Sequence, residues 1–211
     1  MTEQIKNKEG FTLIEVIVVI AVVAVLAAML TPTITKHIDD ARTSTAQNDV
    51  TVIGASMVNM YKDIGKWPID STPQVTGNNL YVIETAGGTI PGFSGGGTTG
   101  WTTWAANNRA SFEDHLIYND PDEDDANGET ADDYPVAPSP FPWKGPYQVK
   151  FGADPWGNKY YCNVIGLWYG GAYEAAFVLS AGSNGSINTD VSQLLTDPPV
   201  IGSDDVTFRL K

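Results

Sequence analysis

The chain has 211 residues, a net charge of −13 and a pI near 4.3, so its bulk composition holds no basic footprint for nucleic acid. A single cysteine, Cys162, excludes an intrachain disulfide. Two histidines, His37 and His115, with no zinc spacing and no phosphate-cradling glycine loop, give no catalytic constellation, and an enzyme is not expected.

Met1 to Gly10 is polar and carries Lys6 and Lys8, a positive flank of the kind left on the cytoplasmic side. Leu13 to Leu30 follows, eighteen residues with one ionisable group, Glu15. That is the length of a membrane-spanning helix. A carboxylate costs about 2.5–3.5 kcal/mol at a bilayer centre and less near the interface, so a partner and a purpose are expected for it.

Three readings compete. A secretory signal peptide would use Ala27 and Ala28 near its cut, but the run exceeds the usual apolar core and has Glu15 inside it. A plain anchor would leave Glu15 interfacial. In the third, implied by the resemblance of Lys8 to Val16 to the prepilin motif of type IV pilin-like subunits, a leader is cut between Gly10 and Phe11 on the cytoplasmic side. The cut would expose an α-amine on Phe11, charged at neutral pH. Glu15 is the one counter-charge in the run, in the same chain or a neighbouring copy. A pair between copies would set axial register, as a buried polar residue does in a coiled coil.

The helix is expected to continue past the membrane. Between Pro32 and Lys62 there is one glycine, Gly54, and no second proline. Pro32 lacks a backbone donor and is expected to bend or locally unwind the helix. Ile34, Ile38, Ala41, Thr45, Val52, Ala55, Met57 and Val58 read as an apolar face, with Lys36, Asp39, Asp40, Arg42, Gln47 and Asn48 opposite. From Phe11 to Tyr61, full helicity would span about 75 Å, far more than a bilayer requires. Gly65 suits a left-handed C-cap, and Pro68 stops continuation.

Thr72 to Pro142 holds a Gly/Thr-rich run (Gly87 to Gly100), Trp101 and Trp104, an acidic run (Asn119 to Asp133) and a proline cluster (Pro135 to Pro142). It reads as a solvated variable loop or a surface contacting cargo or a partner. Asp120, Asp122 and Asp124 have EF-hand spacing, but Asp125 and Ala131 stand where Gly and Glu are needed, so that match fails. Beyond it, Tyr147 to Phe151, Lys159 to Val164, Ala175 to Leu179 and Val206 to Leu210 read as strands of an antiparallel sheet on the second half of the helix. Cys162 falls in a strand, as a buried inert residue. In Asp154-Pro155-Trp156-Gly157-Asn158, Pro155 presets a turn, Gly157 and Asn158 tolerate positive φ, and Trp156 supplies apolar surface.

Lys8-Glu9-Gly10-Phe11-Thr12-Leu13-Ile14-Glu15-Val16 resembles the prepilin motif of the type IV pilin-like superfamily, and Pro32 stands twenty-one residues after Phe11, where such subunits often carry proline. Tyr61 to Pro68, Lys144-Gly145-Pro146-Tyr147, the Asp154 turn and Phe177 to Gly185 resemble, in order, segments of the major pseudopilin of type II secretion. The resemblance lapses between about Thr72 and Pro142. It implies an α+β, pilin-like fold, a long N-terminal helix packed on a C-terminal antiparallel sheet. The segments are then a leader (1–10), a transmembrane and filament-core helix (11–31), an amphipathic helix (32–64), a variable loop region (65–143) and the sheet (144–211).

The resemblance further implies processing at Gly10 and Phe11, N-methylation of Phe11, and assembly through Glu15 and Pro32 into a homopolymer with minor pseudopilins. The prepilin peptidase, an inner-membrane assembly platform and membrane lipid would be its partners. The chain would cross the inner membrane once, N-terminus cytoplasmic and head periplasmic, and then enter a periplasmic or surface filament. Calcium is implied in the loop containing Leu179, Asn184, Asp204 and Asp205, although Asn184 stands where the family usually has Asp. Two other readings stay open: a type IV pilus subunit for adhesion, motility or DNA uptake, and an anchored periplasmic binding module that never polymerises and is not cut.

Overall fold

The computed structural model describes residues 10–68, 80, 82–93, 109–121, 133–167, 175–190 and 198–210. Most of the leader, half of the Gly/Thr-rich run together with Trp101 and Trp104, and most of the acidic run with its EF-hand-like spacing lie outside the described residues. The chain divides into two units, Met1–Ala41 and Arg42–Lys211.

One helix, α1, runs Leu13–Ile64 with Pro32 inside it. In the first unit every residue from Gly10 onward is exposed, including the whole apolar run. By length and composition this helix is able to cross a membrane. Helical geometry persists through Pro32, so of the two expectations there, a bend or a local unwinding, the unwinding does not occur. Threonine hydroxyls bond carbonyls of the turns around it: Thr31 Oγ1 donates to Ala27 O at 2.7 Å and Thr35 Oγ1 to Pro32 O at 3.0 Å.

In the second unit α1 buries Ala46, Val50, Ile53, Met57, Met60 and Ile64. Their alternating spacings of four and three place them on one helical stripe. This corrects the expected face, of which only Met57 is fully covered. Ile34, Ile38, Thr45, Val52 and Ala55 are exposed. The stripe of small and flexible side chains lies about one residue around from the expected one, and the exposed isoleucines belong to the uncovered half of the helix. The end is as expected. Gly65 has φ +74°, and its amide donates to Tyr61 O at 2.7 Å, closing the left-handed cap.

The sheet has five strands in the order β3-β1-β4-β5-β7: β1 (Val82–Glu84), β3 (Arg109–Ser111), β4 (Tyr161–Asn163), β5 (Phe177–Ser180) and β7 (Val206–Arg209). It is mixed, because β3 runs parallel to β1 while the other pairs are antiparallel. The long helix and packed sheet match the expected α+β, pilin-like architecture; the all-antiparallel detail does not hold. Both β1 and β3 come from the stretch read as loops. Tyr147 to Phe151 is not a strand: the Tyr147 amide donates to Leu116 O and its carbonyl accepts from Ser56 Oγ, so no sheet neighbour can use them. A second pair, β2 (Gly92–Phe93) and β6 (Ser186–Ile187), is parallel.

Alternation along the strands separates two apolar layers. Ile83, Cys162, Val178 and Phe208 form a cross-strand row packed with the α1 stripe. Val82, Tyr161, Phe177 and Leu179 form the opposite face, buried with Ile187 and Phe93. Cys162 is fully buried in β4, and burial raises its thiol pKa, as an inert cysteine requires. Further ties hold helix to head: Tyr160 OH donates to Asp49 at 2.7 Å, Gln47 Nε2 to Thr207 O at 3.4 Å, and Lys144 Nζ to Asp63 at 2.8 Å.

Candidate assembly segment and cation loop

The start of α1 is a capping box. Thr12 stands at the N-cap and Glu15 three residues on. Glu15 Oε2 accepts from the Thr12 amide at 2.8 Å and the Thr12 hydroxyl at 2.7 Å, and the Glu15 amide donates to Thr12 Oγ1 at 3.3 Å. The carboxylate therefore sits at the positive end of the helix dipole, satisfying donors that have no partner within the helix. Phe11 precedes the residue whose amide Glu15 holds, so an amine formed there would arise beside a carboxylate already pinned in place. Thr12 carries this arrangement and the sequence reading missed it, although Thr-x-x-Glu before an apolar run is a legible signal. Gly10, Phe11 and Glu15 are exposed.

The C-terminal loop is built from two turns held by carboxylates. Asp204 Oδ2 accepts from Ser183 Oγ and from the Asn184 amide, both at 2.7 Å. Burial pushes its pKa up, but these donors outweigh burial and hold it below the usual carboxylate range. Asp205 Oδ2 accepts from the Asn188 amide at 2.8 Å, and from the Thr189 amide and hydroxyl at 2.6 Å each. Burial dominates there and raises its pKa. The turns approach closely: a Cβ on Gly182, whose φ is +65°, would strike the Asp204 carbonyl.

The four residues expected to hold calcium are placed unequally. Asp204 Oδ1 and Asp205 Oδ1 are buried without a hydrogen-bond partner, two free carboxylate oxygens of the type a hard cation takes. Leu179 lies inside β5 with Tyr161 and Thr207 as cross-strand partners, where ladder bonds claim the backbone groups. Asn184 spends its side chain within the loop, Oδ1 accepting from the Ser186 amide at 2.6 Å and Nδ2 donating to Asn188 Oδ1 at 2.9 Å. Among the described residues no group of three or more metal-capable His, Cys, Asp or Glu side chains occurs.

The Asp154 turn buttresses this loop. Asp154 Oδ1 accepts from the Trp156 and Asn158 amides at 3.0 and 2.7 Å, and Oδ2 accepts from Ser180 Oγ at 2.6 Å. Gly157 takes φ +93° as expected, whereas Asn158 stays at negative φ and turns inward. Its Oδ1 accepts from Thr89 Oγ1 at 3.3 Å. Trp156 packs partly buried against the core.

Residues 5–31 match the prokaryotic N-terminal methylation motif. Among curated proteins and among solved structures, none matches the chain. The matched segment is a prepilin-type methylation motif and supports a type IV pilin-like N-terminus. With the exposed apolar helix it supports membrane anchoring.

Proposed function

We propose that this chain is a structural subunit of a type II secretion pseudopilus, cut between Gly10 and Phe11, N-methylated on Phe11 and polymerised into a filament that drives protein export. The observation that carries the reading is the capping box at Thr12 and Glu15, inside a methylation motif and at the head of an exposed apolar helix. An apolar helix that leaves lipid packs on its own kind. The amine left on Phe11 supplies the charge that Glu15 neutralises, within one subunit or across two. Pro32 marks the boundary of the filament-core segment.

Secretion rather than a pilus is supported by the Asp-Pro-Trp-Gly-Asn turn locked to β5 through Ser180, and by the lack of a disulfide. The second reading, a type IV pilus subunit for adhesion, motility or DNA uptake, would share the same N-terminal motif. In the secretion reading the head stands in the periplasm, and minor pseudopilins and an inner-membrane platform are the partners. Calcium belongs to the same reading. Asp204 and Asp205 would hold it through their free oxygens, and it would tie the two turns together.

Intact mass and N-terminal sequencing of the protein from its own membranes test the proposal. N-methyl-Phe11 as first residue is the expected result. An intact Met1, or a start near Thr31, would overturn it.

A further inference from the structure

The C-terminal loop contains an Asn-Gly pair, Asn184-Gly185. At such a pair the backbone nitrogen after the asparagine reaches the side-chain carbonyl most easily, because glycine has no Cβ to obstruct the approach. Asn184 is exposed, and Gly185 has φ +66°. Only the tip of Asn158 borders the space above Gly185, at 3.7 Å. The Gly185 amide is loosely held, its bond to Gly182 O being 3.4 Å long. The Asn184 side chain is fixed at both ends: Oδ1 accepts from the Ser186 amide, and Nδ2 donates to Asn188 Oδ1.

We propose that Asn184 is a site of spontaneous covalent modification, closing through Gly185 to a succinimide that opens to aspartate or isoaspartate. The Gly185 nitrogen gives its proton to solvent base and bonds to Cγ of Asn184. Negative charge develops on Oδ1, the side-chain nitrogen takes a proton from solvent, the Cγ–Nδ2 bond breaks and ammonia leaves. Water then adds to one of the two imide carbonyls and breaks its bond to the ring nitrogen. Attack at the side-chain carbonyl gives aspartate; attack at the backbone carbonyl gives isoaspartate. The net exchange is an amide NH₂ for a carboxylate oxygen, and one added negative charge. The Ser186 amide, 2.6 Å from Oδ1, donates to the atom on which charge develops, the arrangement that stabilises tetrahedral intermediates in acyl transfer.

The product adds a third carboxylate to the loop, on the residue whose backbone amide Asp204 Oδ2 accepts. Tighter divalent-cation binding follows, a consequence that rests on the calcium reading above.

The test uses the full chain in detergent, incubated in mildly alkaline buffer beside the free peptide spanning Ala181 to Ile187. Peptide mass mapping follows the gain that replaces NH by O at Asn184. Conversion in the folded chain at least as fast as in the free peptide is the expected result; slower conversion, or none, overturns the proposal. Calcium titration of Asn184→Asp against the unconverted chain tests the consequence separately, with affinity about tenfold higher expected. Equal affinity would remove the cation consequence and leave the mass result to judge the modification.

Discussion

The Ser180 hydroxyl donates to Asp154 Oδ2 at 2.6 Å in a buried setting, joining the end of β5 to a turn twenty-six residues earlier in the chain. The other oxygen of the same carboxylate holds the turn's own amides. Asp154→Ala would leave three donors without their acceptor. A loss of about 3 kcal/mol in the unfolding free energy of the detergent-solubilised chain is expected. Ser180→Ala removes that donor and the acceptor of the Gly182 amide, 3.2 Å away, while the turn keeps its own bonds, and should cost about 2 kcal/mol. Equal losses for the two variants would mean that the turn depends on β5 rather than on its carboxylate.

The Phe208 ring of β7 occupies the space where a Cβ on Gly54 would sit. Gly54 therefore acts as a notch in α1, although glycine lowers helix propensity by about 1 kcal/mol relative to alanine. Gly54→Ala gains that propensity and loses more by displacing the ring, for a net destabilisation of about 1–2 kcal/mol. The variant Gly54→Ala with Phe208→Leu should recover part of the loss in a denaturation series.

Glu84 is nearly buried, with Lys159 Nζ at 2.6 Å and Arg109 Nη1 at 3.5 Å. Burial first, and the Glu84 charge second, push the neighbouring Tyr161 phenol pKa up. Lys159→Met removes the closer cation and leaves a desolvated carboxylate with the more distant one, at a cost of about 3 kcal/mol. Replacing both Lys159 and Glu84 by methionine should be milder than either change alone. Thermal denaturation of the three variants decides the matter.

His115 is fully buried in a π-helical turn, Asp114–Tyr118, with Nδ1 2.7 Å from Tyr134 OH. Burial drives its pKa from 6.5 down to about 3. The folded chain thus refuses a proton that the unfolded chain accepts, and stability falls as pH drops below about 6.5, continuing towards about 3. At a pH of about 5 this single group should cost about 2 kcal/mol relative to neutrality. His115→Gln should flatten that part of the stability profile, whatever it does to stability at neutral pH.

Glu15→Ala should leave the cut at Gly10 intact and abolish filament assembly, since the amine on Phe11 would lose its counter-charge while the apolar run is unchanged. Crosslinking of membranes followed by electrophoresis reads the result. Normal ladders from the variant would remove Glu15 from the assembly mechanism.

Much of the fold is legible in the residues where local chemistry decides. Gly65 had to cap the helix because its neighbours cannot adopt positive φ cheaply, and Cys162 had to be inert because it lies in an apolar strand. The α1 stripe was legible too, since Ala46, Val50, Ile53, Met57, Met60 and Ile64 keep an unbroken four-three spacing. The larger isoleucines at Ile34 and Ile38 drew the face away from it, yet exposure leaves them with no cover in the unit to which they belong. Other features depend on distant partners. β1 and β3 are three-residue strands, too short for periodicity to mark them, and they exist because they pair. Tyr147 alternates like a strand residue, but Leu116 and Ser56 bind its backbone first. The cation loop shows the same division. Its acidic residues are visible in the sequence, whereas the fact that each aspartate uses one oxygen on the loop and keeps the other free needs three dimensions.

The position of β7 has a consequence for how the head is made. Residues Val206–Arg209 lie far along the chain from α1, and they complete one edge of the sheet. They also supply Phe208 to the Gly54 notch and accept the Gln47 bond at Thr207. The second half of α1 therefore waits for β7 before its apolar stripe is covered. Such long-range closure is slow and leaves apolar surface open meanwhile. Removal of β7 should therefore leave the α1 stripe uncovered even when every other described strand is present.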